Sequence, residues 1–212
     1  MVEVLDEILK VSPVSLASLR QNSGLTLTDA TEFVEEWENN LPTLSPNEQQ
    51  HLDTLRLGYL NHADHLNALP NLVEMAIVGP LLSLLGYFSH PFRIKNEKTF
   101  QVATLSQVGE IARKLHIWRL NETIWLMIVQ SQGWELSIEA GLNQLISHLM
   151  FSPHTEKPLY GLVMTGGEFI FVKLKRNDEQ VQYATSDVYV MRKQNNDDLY
   201  HVFRIMKSWV NI

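Results

Sequence analysis

The sequence predicts an α/β protein built on one mixed sheet, and three observations lead there. Segments with helical spacing of apolar residues alternate along the chain with short β-branched and aromatic runs. The runs are bounded by turn residues, as at Thr165-Gly166-Gly167. The order is helices, three strands, a helix, a hairpin, a further strand and a last helix, which suits layers of helices packed on a single sheet.

The elements follow in order. Before Ser45 the chain reads as helical and amphipathic, with Thr28 or Asp29 capping a helix through Phe33, Val34 and Trp37 that ends near Asn39-Asn40, before Pro42. Ser45-Pro46-Asn47-Glu48 is a capping box with proline in the first helical position. It opens a helix through Leu52, Leu55, Leu57 and Tyr59. A third helix is expected from about Pro70 to the apolar cluster at 81–85, buried on all sides and kinked at Gly79-Pro80.

From Phe92 the pattern turns to strands over residues 91–102 and 111–120, the second alternating Leu115 and Ile117 against His116 and Trp118. TIWLMIV (residues 123–129) is continuous enough for a central strand covered on both faces. Ser137 then caps a helix over 138–150 with Leu142, Leu145, Ile146 and Leu149 on one stripe. Residues 159–164 and 169–174 form a hairpin, and 183–191 a further strand. Asp197 or Asp198 caps a final helix whose inner face is Val202, Phe203, Ile205, Met206 and Trp209.

Composition narrows the function. With 212 residues, 45% of them hydrophobic, the chain suits one domain (1–212), divided into a helical N-terminal extension (1–68) and an α/β core (69–212). A net charge of −7 disfavours phosphate backbones unless a local basic surface overcomes the field. The absence of cysteine removes disulfides, thiolate nucleophiles and Cys-based metal sites. MVEVLDEILK lacks the basic start of a signal peptide, and the uncharged run at 75–88 is too short and too interrupted to span a bilayer. A cytoplasmic location without a transmembrane segment is the expectation.

The segments EEWENNLP (35–42), VGPLLSLLGYF (78–88), RIKNEK (93–98), SIEAGLNQL (137–145), EKPLYGLVMTGGEFIFVKL (156–174) and QYATSDVY (182–189) carry a family resemblance across most of the chain. They resemble a mainly cyanobacterial group of restriction endonuclease subunit R-like proteins, within the PD-(D/E)XK nuclease superfamily. The resemblance implies a restriction-endonuclease-like α-β-β-β-α-β core. In active relatives, a strand Asp and a Glu on the next strand hold a divalent cation, and a Lys two residues beyond the Glu stabilises developing charge. Carried over by position, these places fall on His116, Gln130 and Gln132, so none of the three is kept. Gln144 matches the Gln of the following helix, and His148 replaces a Tyr.

Two neutral amides and an imidazole do not make a Mg²⁺ site. The resemblance therefore implies a catalytically inactive nuclease-fold protein with no cofactor, working as a protein-binding, assembly or regulatory factor. The alternatives are a DNA endonuclease of a restriction or defence system, using Mg²⁺ on relocated acids among Glu110, Glu122, Glu135 and Glu139, or a nucleic-acid-binding module that does not cleave. Glu139 has a plainer role in the first turn of its helix. Trp118 and Trp134 are binding candidates as interface aromatics, and Arg113 and Arg119, with Lys114, as basic neighbours of the vestigial site. Lys173, Lys175 and Arg176 form a second basic group. His62 and His65 have the i, i+3 spacing of half a metal site without further ligands, which reads as a solvated helix end.

Overall fold

The computed structural model describes residues 20–21, 24–29, 34–66, 74–104, 107–119, 138–150, 157–165, 167–176, 180–192 and 197–210. The expected strand at 123–129 lies outside them, as do Gln130, Gln132, Trp134 and the cap Ser137. The described elements are β1 (Leu25–Leu27), α1 (Pro46–Leu66), α2 (Gly79–Leu84), β2 (Phe92–Thr104), β3 (Gln107–Arg119), α3 (Ile138–Met150), β4 (Leu159–Thr165), β5 (Glu168–Arg176), β6 (Val181–Thr185), β7 (Tyr189–Val190) and α4 (Asp197–Trp209). A 3-10 turn at Glu35–Trp37 and a π turn at Glu74–Val78 complete them.

The protein is α/β with a mixed sheet. Its strands run β1-β6-β5-β4, with β7 also on β5; β1 is parallel to β6 and the other pairs are antiparallel. Among the described residues, strands β2 and β3 form a separate antiparallel ribbon instead of joining the single sheet expected, because they pair only with each other.

Register and burial together explain the layers. Cross-strand pairs Tyr160–Lys173, Leu162–Phe171 and Met164–Phe169 share one face of the sheet, since directly opposed residues point the same way. That face meets Trp37 and the inner residues of α1, α2 and α4 in one apolar cluster. The alternate pairs Leu159–Leu174, Gly161–Val172 and Val163–Ile170 face the other way, onto Leu145, Ile146 and Leu149 of α3. Strands covered on both faces must be apolar at nearly every position, as LYGLVMT and EFIFVKL are. Helix α3 comes close because Gly161 has no side chain: a Cβ there would meet the Leu145 methyls at 2.7 Å. Gly167 does the same at the β4–β5 turn, where a Cβ would lie 2.3 Å from the Tyr59 hydroxyl.

The capping box at α1 is reciprocal: Ser45 N–H donates to Glu48 Oε2 at 2.7 Å, and Glu48 N–H to Ser45 Oγ at 3.3 Å. Within α1, Leu52, Tyr59 and Ala63 are buried, a spacing that leaves Leu57 on the opposite side and 57% exposed, against the inward position expected of it. The expected helix from Pro70 begins among residues outside the description and continues as the π turn followed by α2. Pro80 takes an early position in α2, where its missing N–H costs nothing. Met75 is 73% exposed, so this segment is not buried on all sides.

Two further expectations change. Residues 25–27 are a strand although the surrounding stretch reads as helical, because β6 offers a parallel edge more than 150 residues away. The strand expected over 183–191 is split: Ser186 Oγ accepts the Phe171 N–H at 2.9 Å and donates to Asp187 O, taking over a ladder bond and ending β6. Asp198 Oδ2 accepts the Val190 N–H at 3.0 Å, tying β7 to the start of α4.

Candidate functional site

The ribbon carries His116 together with three of the basic and aromatic candidates read in the sequence, Lys114, Trp118 and Arg119, in a continuous register. Phe92 pairs with Arg119, Arg93 with Trp118, Ile94 with Ile117, Lys95 with His116, Asn96 with Leu115 and Glu97 with Lys114. Opposed residues share a face and neighbours alternate, so Arg93, Lys95, Glu97, Lys114, His116 and Trp118 lie on one face. Phe92, Ile94, Asn96, Leu115, Ile117 and Arg119 lie on the other. Phe92 is buried and Ile94 packs on the apolar core, while Arg93 between them is exposed. Trp118 and Arg119, adjacent in sequence, are therefore on opposite faces. Arg113 falls beyond this register, at the irregularity between the Glu97 and Phe100 pairings.

On α3, Gln144 is half-buried and Glu139 exposed in the first turn, while Leu145, Ile146 and Leu149 take the inward positions of the helix. Gln130, Gln132, Trp134, Glu122 and Glu135 lie outside the described residues. His62 is exposed on α1.

The second basic group does not line a common groove. Lys173 is buried within the aromatic layer, where its ammonium donates to Glu36 Oε2 at 2.8 Å and stands 5.9 Å from the centre of the Tyr160 ring. Burial, then the Glu36 charge beside it, pushes the Tyr160 hydroxyl well above the usual tyrosine range. Arg176 donates to Leu149 O at 2.6 Å and to Met150 O, closing the carbonyl end of α3, and its desolvation lowers its basicity. Lys175 alone of the three is exposed. Sequence spacing could not separate them, because burial of Lys173 depends on a carboxylate 137 positions away.

On the sheet face that carries Lys173, Phe171 meets Trp37 and Trp209, with ring centres 6.4 Å and 5.3 Å away. Both indole N–H groups are buried without a hydrogen-bond partner. An open groove of about 440 Å³ between α1 and α2 is lined by Leu52, Leu55, Pro80, Leu81 and Leu84 with Gln50, His51 and Thr54 at its polar side. None of the candidate site residues read in the sequence is among these lining residues.

Among the described residues, no group of three or more His, Asp or Glu is arranged to hold a metal ion. Among them, too, no helix is long and apolar enough to cross a membrane. Comparisons with family models, curated proteins and solved structures return no match.

Proposed function

We propose that this chain is a nuclease-fold protein without nuclease chemistry, acting as a binding, assembly or regulatory factor through a protein partner. One observation carries the reading: the positions matched to the catalytic Asp, Glu and Lys hold His116, Gln130 and Gln132, which bring no carboxylate and no ammonium to the site. Hard divalent cations need anionic oxygen, and the attacked phosphate needs that positive charge in the transition state. The loss of groups typically worth about 3 kcal/mol each leaves little rate enhancement. A restriction-endonuclease-like core belongs to the same proposal. What supports it is the helix α3, which follows β2 and β3 in the chain and packs on the next strands with Gln144 part-way along it.

The test is incubation of the full chain with duplex DNA and Mg²⁺ or Mn²⁺. No cleavage is expected. Cleavage that disappears in Glu135→Gln or Glu139→Gln would replace this reading with a nuclease using relocated acids. The combined change His116→Asp, Gln130→Glu and Gln132→Lys is expected to create Mg²⁺ affinity, measured by calorimetry, that the natural chain lacks.

A further inference from the structure

We infer that the groove between α1 and α2 holds one amphipathic helix of the protein partner, seated by an apolar stripe and flanked by Lys or Arg. The inference rests on the reading of the chain as a binding factor and adds the place and the chemistry of the partner.

The floor of the groove is Leu52, Leu55, Pro80, Leu81 and Leu84, from two neighbouring helices that leave about 440 Å³ open between them. Leu55 and Leu84 are only half-buried, so apolar surface reaches solvent there. No charged side chain is among the described residues that line it, and residues 75–92 contain no Asp, Glu, Lys or Arg in a chain that is 19% charged. Interface centres are depleted of charge in this way. Met75 in the π turn before α2 and Phe88 in the turn after it are both exposed and add to the apolar surface of the same segment.

Gly58 points to a helix as the occupant. His51, Leu55 and Gly58 follow one another at i, i+4 and i+7, so the glycine continues the stripe of α1 that lines the groove. Mid-helix glycine is destabilising relative to alanine, and nothing in the described fold requires it here: the residue is exposed, its φ is not positive, and a Cβ would meet no atom within 4 Å. What the missing side chain permits is the close approach of a second backbone. An apolar groove between two helices, with an open crossing point beside it, is the seat of an amphipathic helix.

The rim fixes the sign of the charge. His51 Nδ1 lies 2.7 Å from the backbone carbonyl of Asn47, which can only accept, so Nδ1 carries the proton and the neutral ring keeps just the Nε2 lone pair for a further partner. Thr54 Oγ1 donates to Gln50 O at 2.9 Å, and that hydroxyl too retains only lone pairs. Gln50 beside them can serve either role. Two fixed acceptors one turn apart call for a donor: a carboxylate or phosphate would set lone pairs against lone pairs, whereas Lys or Arg donates to them and is drawn by the net charge of −7.

The experiment uses the full chain and fluorescence anisotropy with three labelled peptides: a helix-forming peptide with leucine at i, i+3, i+4 and i+7 flanked by lysine, the same leucine stripe flanked by glutamate, and the lysine peptide with its sequence scrambled. Binding of the first alone is expected. Gly58→Leu is expected to weaken it about tenfold or more by filling the approach, while the thermal unfolding midpoint stays level or rises because leucine is the better helix former. His51→Ala with Thr54→Val should weaken it about fivefold. Full affinity in Gly58→Leu, equal binding of the scrambled or glutamate peptide, or no binding of the lysine peptide would each overturn the inference. So would a dimer of the full chain, seen by sedimentation, that Gly58→Leu dissociates, since the occupant would then be a second copy. DNA cleavage, measured in parallel, would instead defeat the reading as an inactive nuclease fold, whatever the peptides do.

Discussion

The β4–β5 hairpin and the β2–β3 ribbon are both antiparallel pairs, yet they differ in what covers them. In the hairpin, Phe169, Phe171 and Lys173 face one helical layer while Ile170, Val172 and Leu174 face α3, and every residue from Phe169 to Leu174 is buried. In the ribbon, Phe92 and Ile94 are anchored to the core and Arg93 between them is exposed. The contrast teaches a division of labour. A strand buried on both faces has no position left for recognition, whereas a strand buried on one face can change its outer residues without disturbing its fold.

Substitutions sharpen this comparison, beginning with the largest effect. Trp209→Ala removes the ring packed on Tyr160 and Phe171 and is expected to cost about 3–5 kcal/mol, read from the shift of a urea denaturation midpoint. Glu36→Gln removes the carboxylate to which the buried Lys173 ammonium donates at 2.8 Å. Because Glu36 is 33% exposed, the loss should be about 1–3 kcal/mol, below that of a fully buried pair. Lys173→Met, which removes the buried charge itself, should cost less than Glu36→Gln; a greater cost would mean that the pair is net stabilising rather than a compensated burial.

Gly161→Ala is expected to cost about 1–3 kcal/mol through its contact with Leu145, and less in a Leu145→Ala background; an unchanged increment would show that α3 yields elsewhere. Glu48 supplies a smaller, pH-dependent term. Burial alone would raise its pKa, but the hydrogen bonds from Lys207 and Ser45 outweigh it and hold the carboxyl below its usual 4.5. The unfolded chain therefore binds the proton first. The contribution is fully present above about pH 4.5 and is lost as pH falls through the lower folded value, and Glu48→Gln should flatten that part of the acid denaturation curve. At the small end, Arg93→Ala should change stability by no more than about 0.5 kcal/mol, and a larger loss would place the outer face of the ribbon within the fold's support.

Elements with a local cause were legible in the sequence. The α1 cap needs only Ser45 and Glu48, the α4 stripe only its own spacing, and the hairpin only two apolar runs and a turn. What was not legible depends on distant partners. Residues 25–27 become a strand because Val181, Gln182 and Tyr183 lie beside them, and Lys173 is a core residue because Glu36 reaches it. Of the site, the residue types at 116, 118 and 119 could be read directly. Their division between two faces required the pairing with β2, since Trp118 and Arg119 are told apart only by opposing Arg93 and Phe92.

Helix α4 has a further consequence, for the order in which the molecule can close. His201 Nε2 lies 2.8 Å from Trp37 O, Arg204 donates to Leu41 O and Pro42 O, and Lys207 to Thr43 O. A row of side chains from the last described element thus holds four carbonyls of the segment leading into α1, across separations of more than 150 residues. Such contacts repay the chain entropy of closing so long a loop only at the end, which places the aromatic layer among the late events of folding. During synthesis, the surface of α1 that this helix covers stays open until α4 has left the ribosome, and a chaperone would meet it there.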